Sequence, residues 1–234
     1  IHISFLNAGA DGLKTNTFGA SPITLGEFEI ASEAHDLSLR GAELAKEAIQ
    51  KFAGDGRVRF VFGSIGPGTR LPSLGHIDYQ SLENALSIQC RGLLEGGIDV
   101  FLIETCQDPL QIKAAVNAAK NTMAEQRTEI PIMVSVTIET TGTLLVGADI
   151  AAASTIVDAL DVSVIGLNCG TGPQEMAEHI KWLESAWPGK ISVVPNAGLP
   201  ELVEGQTHYP LETSEMTRWI ERYIEDHGIN IIGG

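Results

Sequence analysis

The stretch "DVSVIGLNCGTGPQE" (residues 161–175) joins two kinds of sequence within a few positions. Val162 to Leu167 is a nearly continuous apolar run, rich in β-branched residues, that ends in Asn168-Cys169-Gly170. After a polar turn, Pro173 opens "QEMAEHIKWL", with apolar residues three and four apart. A run that is apolar at consecutive positions predicts a strand covered on both faces, because a half-exposed strand would alternate. Proline suits a first helical turn, where its missing N–H has no partner to lose. The stretch therefore predicts strand, turn and helix, with a cysteine at the strand tip.

The same unit recurs along the chain. Apolar runs at 11–16, 58–64, 98–104, 130–138, 191–194 and 229–232 predict six further strands. Segments 26–52, 79–96, 109–126, 149–160, 174–187 and 214–227 carry helical apolar spacing between them. Gly9, Gly96 and Gly97 stand where helices should stop, since glycine admits the left-handed backbone that closes a last turn. Asp108-Pro109 reads as a cap followed by a first-turn proline. The opening "IHISFLNAGAD" reads as a helix already under way, so a strand is expected before it and the sequence reads as a piece of something longer. Seven strands and one more at the start make eight. A (β/α)8 TIM barrel is the economical prediction, because a closed barrel leaves no parallel edge exposed. An open doubly wound sheet is the alternative, but no G-x-G-x-x-G follows a strand to support it. No linker divides the chain, and residues 1–234 are expected to form a single barrel domain, lacking its first strand and the segment after the last.

Composition narrows the function. The chain has 234 residues, 44% hydrophobic and only 6% aromatic, which predicts an aliphatic core. A net charge of −15 argues against nucleic acid, whose phosphates need Lys and Arg to displace counterions. No apolar run approaches the roughly 18–20 residues of a membrane span, and no signal-peptide pattern opens the chain. Three cysteines are too few, and odd in number, for a disulfide framework, so a reducing, cytoplasmic setting is expected.

In a barrel of this kind the chemistry sits at the C-terminal ends of the strands. Those ends are Thr15-Asn16-Thr17, Ser64, Glu104-Thr105, Ser135 or Thr137, Asn168-Cys169, Pro195-Asn196 and Gly233-Gly234. Thr17 and Thr105 serve equally well as helix caps. Glu104 ends the run "VFLIE" and so faces partial desolvation, which calls for a cationic partner. No arginine stands nearby in sequence, and a ligand ammonium group is expected to fill that part. Cys90, in mid-helix, and Cys106, just past a strand, read as core thiols. Cys169 stays open among core thiol, nucleophile and metal ligand. No His occupies a strand end to act as its base, and no further Cys or His stands at the other tips to complete a zinc site.

Six motifs, in order from one end of the chain to the other, carry a resemblance. "TNTFGAS" (15–21), "GSIGPGT" (63–69), "LIET" (102–105), "GLNCGTGP" (166–173), "PNAGLPE" (195–201) and the terminal "NIIGG" resemble the zinc-dependent homocysteine S-methyltransferases. Within that family they are most similar to the homocysteine-binding module of the cobalamin-dependent methionine synthases. The resemblance implies a (β/α)8 barrel whose zinc is held by three cysteines. Cys169 would be one, and the other two an adjacent pair following the last strand's Gly-Gly. It implies further that Glu104 takes the ammonium group of homocysteine. Thr15, Asn16 and Ser64 would hydrogen-bond the carboxylate or shape the pocket, and Asn168 and Asn196 would orient the loops around the metal. The methyl donor would be methylcobalamin on a separate module, alongside folate and activation modules. Betaine or S-methylmethionine as donor, or a non-catalytic homocysteine-binding scaffold, are the alternatives.

Overall fold

A computed structural model describes residues 1–52, 54, 56–203 and 205–233. Its strands are β1 (Gly12–Lys14), β2 (Phe60–Ile65), β3 (Val100–Cys106), β4 (Ile132–Val136), β5 (Val164–Asn168), β6 (Lys190–Val194), β7 (Glu201–Val203), β8 (Gln206–His208) and β9 (Ile231–Ile232). The helices are α1 (His2–Asn7), α2 (Pro22–Gly26), α3 (Ala34–Phe52), α4 (Tyr79–Glu95), α5 (Pro109–Gln126), α6 (Ile150–Ala159), α7 (Pro173–Ala186) and α8 (Thr213–His227). The protein is thus α/β, with a seven-stranded parallel sheet in the order β1-β2-β3-β4-β5-β6-β9. All seven predicted strands are found in it. β4 and β5 are buried at every position, as their unbroken apolar character requires.

By contact density the chain divides into two compact units, Ile1–Glu104 with Leu110–Met133, and Thr105–Pro109 with Val134–Gly234. In the first, β1, β2 and β3 pair in parallel, with Lys14 opposite Phe62 and Ser64 opposite Leu102. Leu13, Val61, Ile65, Leu93, Phe101 and Ile103 form its core. The predicted helix 26–52 starts later than its periodicity suggests. Ser21 caps the short α2, a 3-10 turn follows at Ala31–Glu33, and α3 begins only at Ala34.

Helices α3 and α4 of this unit approach closely, and two glycines one turn apart explain how. A Cβ on Gly92 would sit 2.3 Å from the His35 carbonyl oxygen; one on Gly96 would sit 2.6 Å from both Ala42 Cβ and the Leu39 carbonyl oxygen. The obstructing atoms are largely backbone, so they cannot swing aside. Gly92→Ala is expected to destabilise the protein by about 2 kcal/mol despite alanine's better helix propensity. Urea unfolding with an unchanged midpoint would contradict this packing.

In the second unit β5, β6 and β9 pair in parallel, with Gly166 opposite Ser192 and Asn168 opposite Val194. Asp149 caps α6 by accepting from the Ala152 N–H, and Gly228 closes α8 in the left-handed conformation. Tyr223, buried in α8, donates its hydroxyl to the Pro173 carbonyl at the start of α7. The antiparallel pair β7–β8 is an addition that the sequence did not announce. Its residues are all exposed, so no apolar alternation marks them. Gly234, the last of the predicted rim positions, lies outside the described residues. Among the described residues no helix is long and apolar enough to cross a membrane.

Candidate functional site

Five residues at the strand ends of the first unit, Lys14, Thr15, Thr17, Ser64 and Glu104, form one hydrogen-bonded cluster. Glu104, 5% exposed, accepts from the Ser64 hydroxyl at 2.6 Å through Oε1 and from Lys14 Nζ at 2.9 Å through Oε2. From the sequence this carboxylate is expected to meet a ligand cation. The structure supplies one from the protein, because neighbouring parallel strands bring the tip of β1 alongside those of β2 and β3. Lys14 was missed for a simple reason: it lies ninety positions away in sequence.

Hydroxyl bookkeeping fixes what the rest of the cluster can do. The single proton of Thr17 Oγ1 goes to the Ser64 carbonyl at 2.7 Å. Thr15 Oγ1, 2.6 Å from Thr17 Oγ1, must therefore be the donor in that pair, while it accepts from the Ser64 N–H at 2.9 Å. Gln89, fully buried on α4, donates through Nε2 to the Thr17 and Ser64 carbonyls. Thr15 and Gln89 thus hold Ser64, and Ser64 holds Glu104. Asn16 stands apart and exposed, its Oδ1 turned towards Gly41 of α3.

The second unit carries the thiol. Cys169 is half-buried, whereas Cys90 and Cys106 are fully buried, and burial pushes the Cys90 thiol well above its ordinary pKa. The core reading of those two cysteines is correct; Cys169 is of another kind. It follows β5 with φ +56°, a left-handed conformation that costs a non-glycine residue roughly 1 kcal/mol. Gly170 continues at φ +71°, and a Cβ there would lie 2.7 Å from the Ile138 carbonyl oxygen, so only glycine fits.

Asn168 holds this turn. Its Oδ1 accepts from the Thr105 N–H at 2.9 Å; its Nδ2 donates to Thr105 Oγ1 at 2.8 Å and to Cys169 Sγ at 3.2 Å. Thr137 donates to the Asn168 carbonyl at 2.9 Å. The sulfur therefore faces an amide donor. Asn196 joins through the backbone: its N–H donates to the Thr171 carbonyl, and the Thr171 N–H donates to that of Cys169. On the sheet face that carries Asn168, Gly166 leaves open the space between Ser135 and Ser192, whose buried hydroxyls have no hydrogen-bond partner among the described residues.

Cys169 fits a zinc ligand in chemistry and exposure. Among the described residues no group of three or more His, Cys, Asp or Glu could hold a metal ion, so this stretch offers a metal one sulfur.

The chain matches, over residues 1–234, the family model described as homocysteine S-methyltransferase. It belongs to that family. It is 44% identical over all 234 residues to the methionine synthases of Mycobacterium tuberculosis and Mycobacterium leprae, and spans 20% and 19% of their lengths. The structure is also similar to that of the homocysteine methyltransferase MmuM from Escherichia coli in its oxidized form. There the TM-score is 0.79 at 18% identity, covering all of this chain and 77% of that one. The metallated form of the same protein gives 0.78. At that identity the likeness speaks for the fold alone.

Proposed function

We propose that residues 1–234 form the homocysteine-binding module of a cytoplasmic methionine synthase, folded as a (β/α)8 barrel with zinc bound at Cys169. The observation that carries the reading is the half-buried Cys169 at a strand tip, its sulfur facing the Asn168 amide, in a chain of this family 44% identical to methionine synthases. A homocysteine thiol, with a pKa near 8.5, is mostly protonated at neutral pH and a weak nucleophile. Zinc, when bound, would hold that sulfur as a thiolate that keeps enough electron density to take a methyl group.

This chain's own residues then divide the work. Cys169 supplies one thiolate, Asn168 orients it through Thr105 and Thr137, and Asn196 braces the turn. Glu104 takes the substrate's ammonium group, with Ser64 and Thr15 shaping its surroundings. The sulfur's electron pair would form the new S–C bond as the bond between methyl and donor breaks, the electron pair of that bond staying with the donor, and the thiol proton would be lost to solvent. The methyl group would come from methylcobalamin held on a separate module, with folate- and activation-type modules to recharge it. The greater length of the mycobacterial relatives leaves room for these.

Supplied with homocysteine and methylcobalamin, the whole protein is expected to release methionine, and with betaine or S-methylmethionine to release none. Methionine formed only from the latter two would reassign the donor. Tight homocysteine binding without transfer from any donor would favour a binding scaffold.

A further inference from the structure

We infer that Gln89, on α4, is a positioning residue for substrate binding: it ties the tips of β1 and β2 together and, through Ser64, aims the Glu104 carboxylate. The inference rests on the reading of Glu104 as the ammonium site. It starts from a buried amide that stability does not explain. Gln89 is 0% exposed, and its Oε1 has no hydrogen-bond partner among the described residues. An unpaired buried acceptor is costly. Turning the amide round brings no relief, because Oε1 would then face the two carbonyl oxygens that Nε2 now meets.

Nor do those carbonyls need the amide. That of Thr17 also accepts from the Ala20 N–H at 3.0 Å, and that of Ser64 from the Thr17 hydroxyl at 2.7 Å. What Nε2 adds is geometry. It lies 2.7 Å from the Thr17 carbonyl and 3.3 Å from the Ser64 carbonyl, so one nitrogen spans two segments 47 positions apart. The span matters because β1 ends at Lys14 while β2 runs on to Ile65. On that side the Ser64 backbone meets side chains in place of a strand: Thr15 Oγ1 takes its N–H, and Thr17 and Gln89 donate to its carbonyl. The Ser64 hydroxyl, 2.6 Å from Glu104 Oε1, takes its direction from that backbone. Gln89 itself starts from a fixed place, since Gly92, one turn on, lets α4 sit directly against the His35 carbonyl of α3.

The test is calorimetric binding to the whole protein with two probes, homocysteine and 4-sulfanylbutanoate, which is homocysteine without its ammonium group. Gln89→Met removes the amide and keeps the length. It is expected to shift the melting temperature little, to weaken homocysteine about tenfold and to leave 4-sulfanylbutanoate unchanged. In a Glu104→Gln background the same change is expected to add nothing, because the carboxylate it aims is gone. Gln89→Glu, of the same shape with one proton in place of two, serves if the methionine variant does not fold. Its affinity for homocysteine relative to 4-sulfanylbutanoate is expected to fall, against the parent, as pH rises and that proton is lost. Equal weakening of both probes, unchanged homocysteine binding, effects that multiply across the two sites, or a ratio in Gln89→Glu that follows the parent at every pH would each overturn the inference. Glu104→Gln alone reports on the underlying reading. If homocysteine binds that variant as it binds the parent, Glu104 is not the ammonium site and Gln89 has nothing to aim.

Discussion

Replacing Cys169 with serine is expected to strip zinc from the protein and to lower methyl transfer about a thousandfold, with the fold intact. The magnitude follows from ligand arithmetic. Zinc held by a small set of protein side chains is bound by roughly 10–16 kcal/mol, so loss of one ligand among three forfeits about 4 kcal/mol, near three decades in affinity. Serine is the informative substitution. It is close to cysteine in shape, it tolerates the left-handed backbone at position 169 no worse, and its oxygen can still accept from Asn168 Nδ2. The turn braced by Thr105, Thr137 and Asn196 therefore survives the change. What serine lacks is an acidic, soft donor: its hydroxyl stays protonated at neutral pH where a metal-bound thiol does not. Two readouts are needed, zinc content by elemental analysis and methyl transfer by methionine formed. Full zinc occupancy in the variant would remove Cys169 from the ligand set. Loss of transfer with zinc retained would move it from metal ligand to some other part.

The contrast between Cys169 and Glu104 shows what sequence can and cannot carry. The strands were legible because a strand buried on both faces is written as unbroken apolar residues, and β4 and β5 are so buried. Helix starts were legible where proline suits a first turn, as at Pro109 and Pro173. The exposed β7–β8 pair was not, since nothing in it alternates with burial. The break between α2 and α3 was not either, since apolar spacing alone does not register a 3-10 turn. At the candidate site the residue types at strand tips could be read, but not their pairing. Nothing local says that Lys14 reaches Glu104, or that the Thr15 and Ser64 protons are already committed; both are products of parallel strand register. The amide of Asn168 against the Cys169 sulfur is an intermediate case. The two are adjacent in sequence, but the contact depends on the left-handed turn between them.

Glu104→Gln is expected to raise the KM for homocysteine about a hundredfold while changing kcat little. The glutamine amide is the same shape and can keep the Ser64 bond by placing its oxygen where Oε1 now accepts. Its nitrogen must then occupy the place of Oε2, where it presents N–H groups to Lys14 Nζ, donor against donor. A substrate ammonium arriving there meets a neutral group that has lost most of its acceptor capacity. A charge-assisted hydrogen bond in a site 95% removed from solvent is worth up to about 3 kcal/mol, and the loss of about 2.7 kcal/mol corresponds to two decades. The ammonium group does not change charge as the sulfur is methylated. Its interaction is therefore equal in ground and transition states, and its removal weakens binding without slowing the chemistry. Steady-state kinetics with homocysteine varied at saturating methyl donor separate the two parameters, and a melting curve establishes that the buried network still folds. A KM within twofold of the parent would take Glu104 out of substrate binding and leave the Lys14 pair a structural feature of the β1–β3 edge. A fall in kcat with KM unchanged would instead place the carboxylate at the reacting end of the molecule.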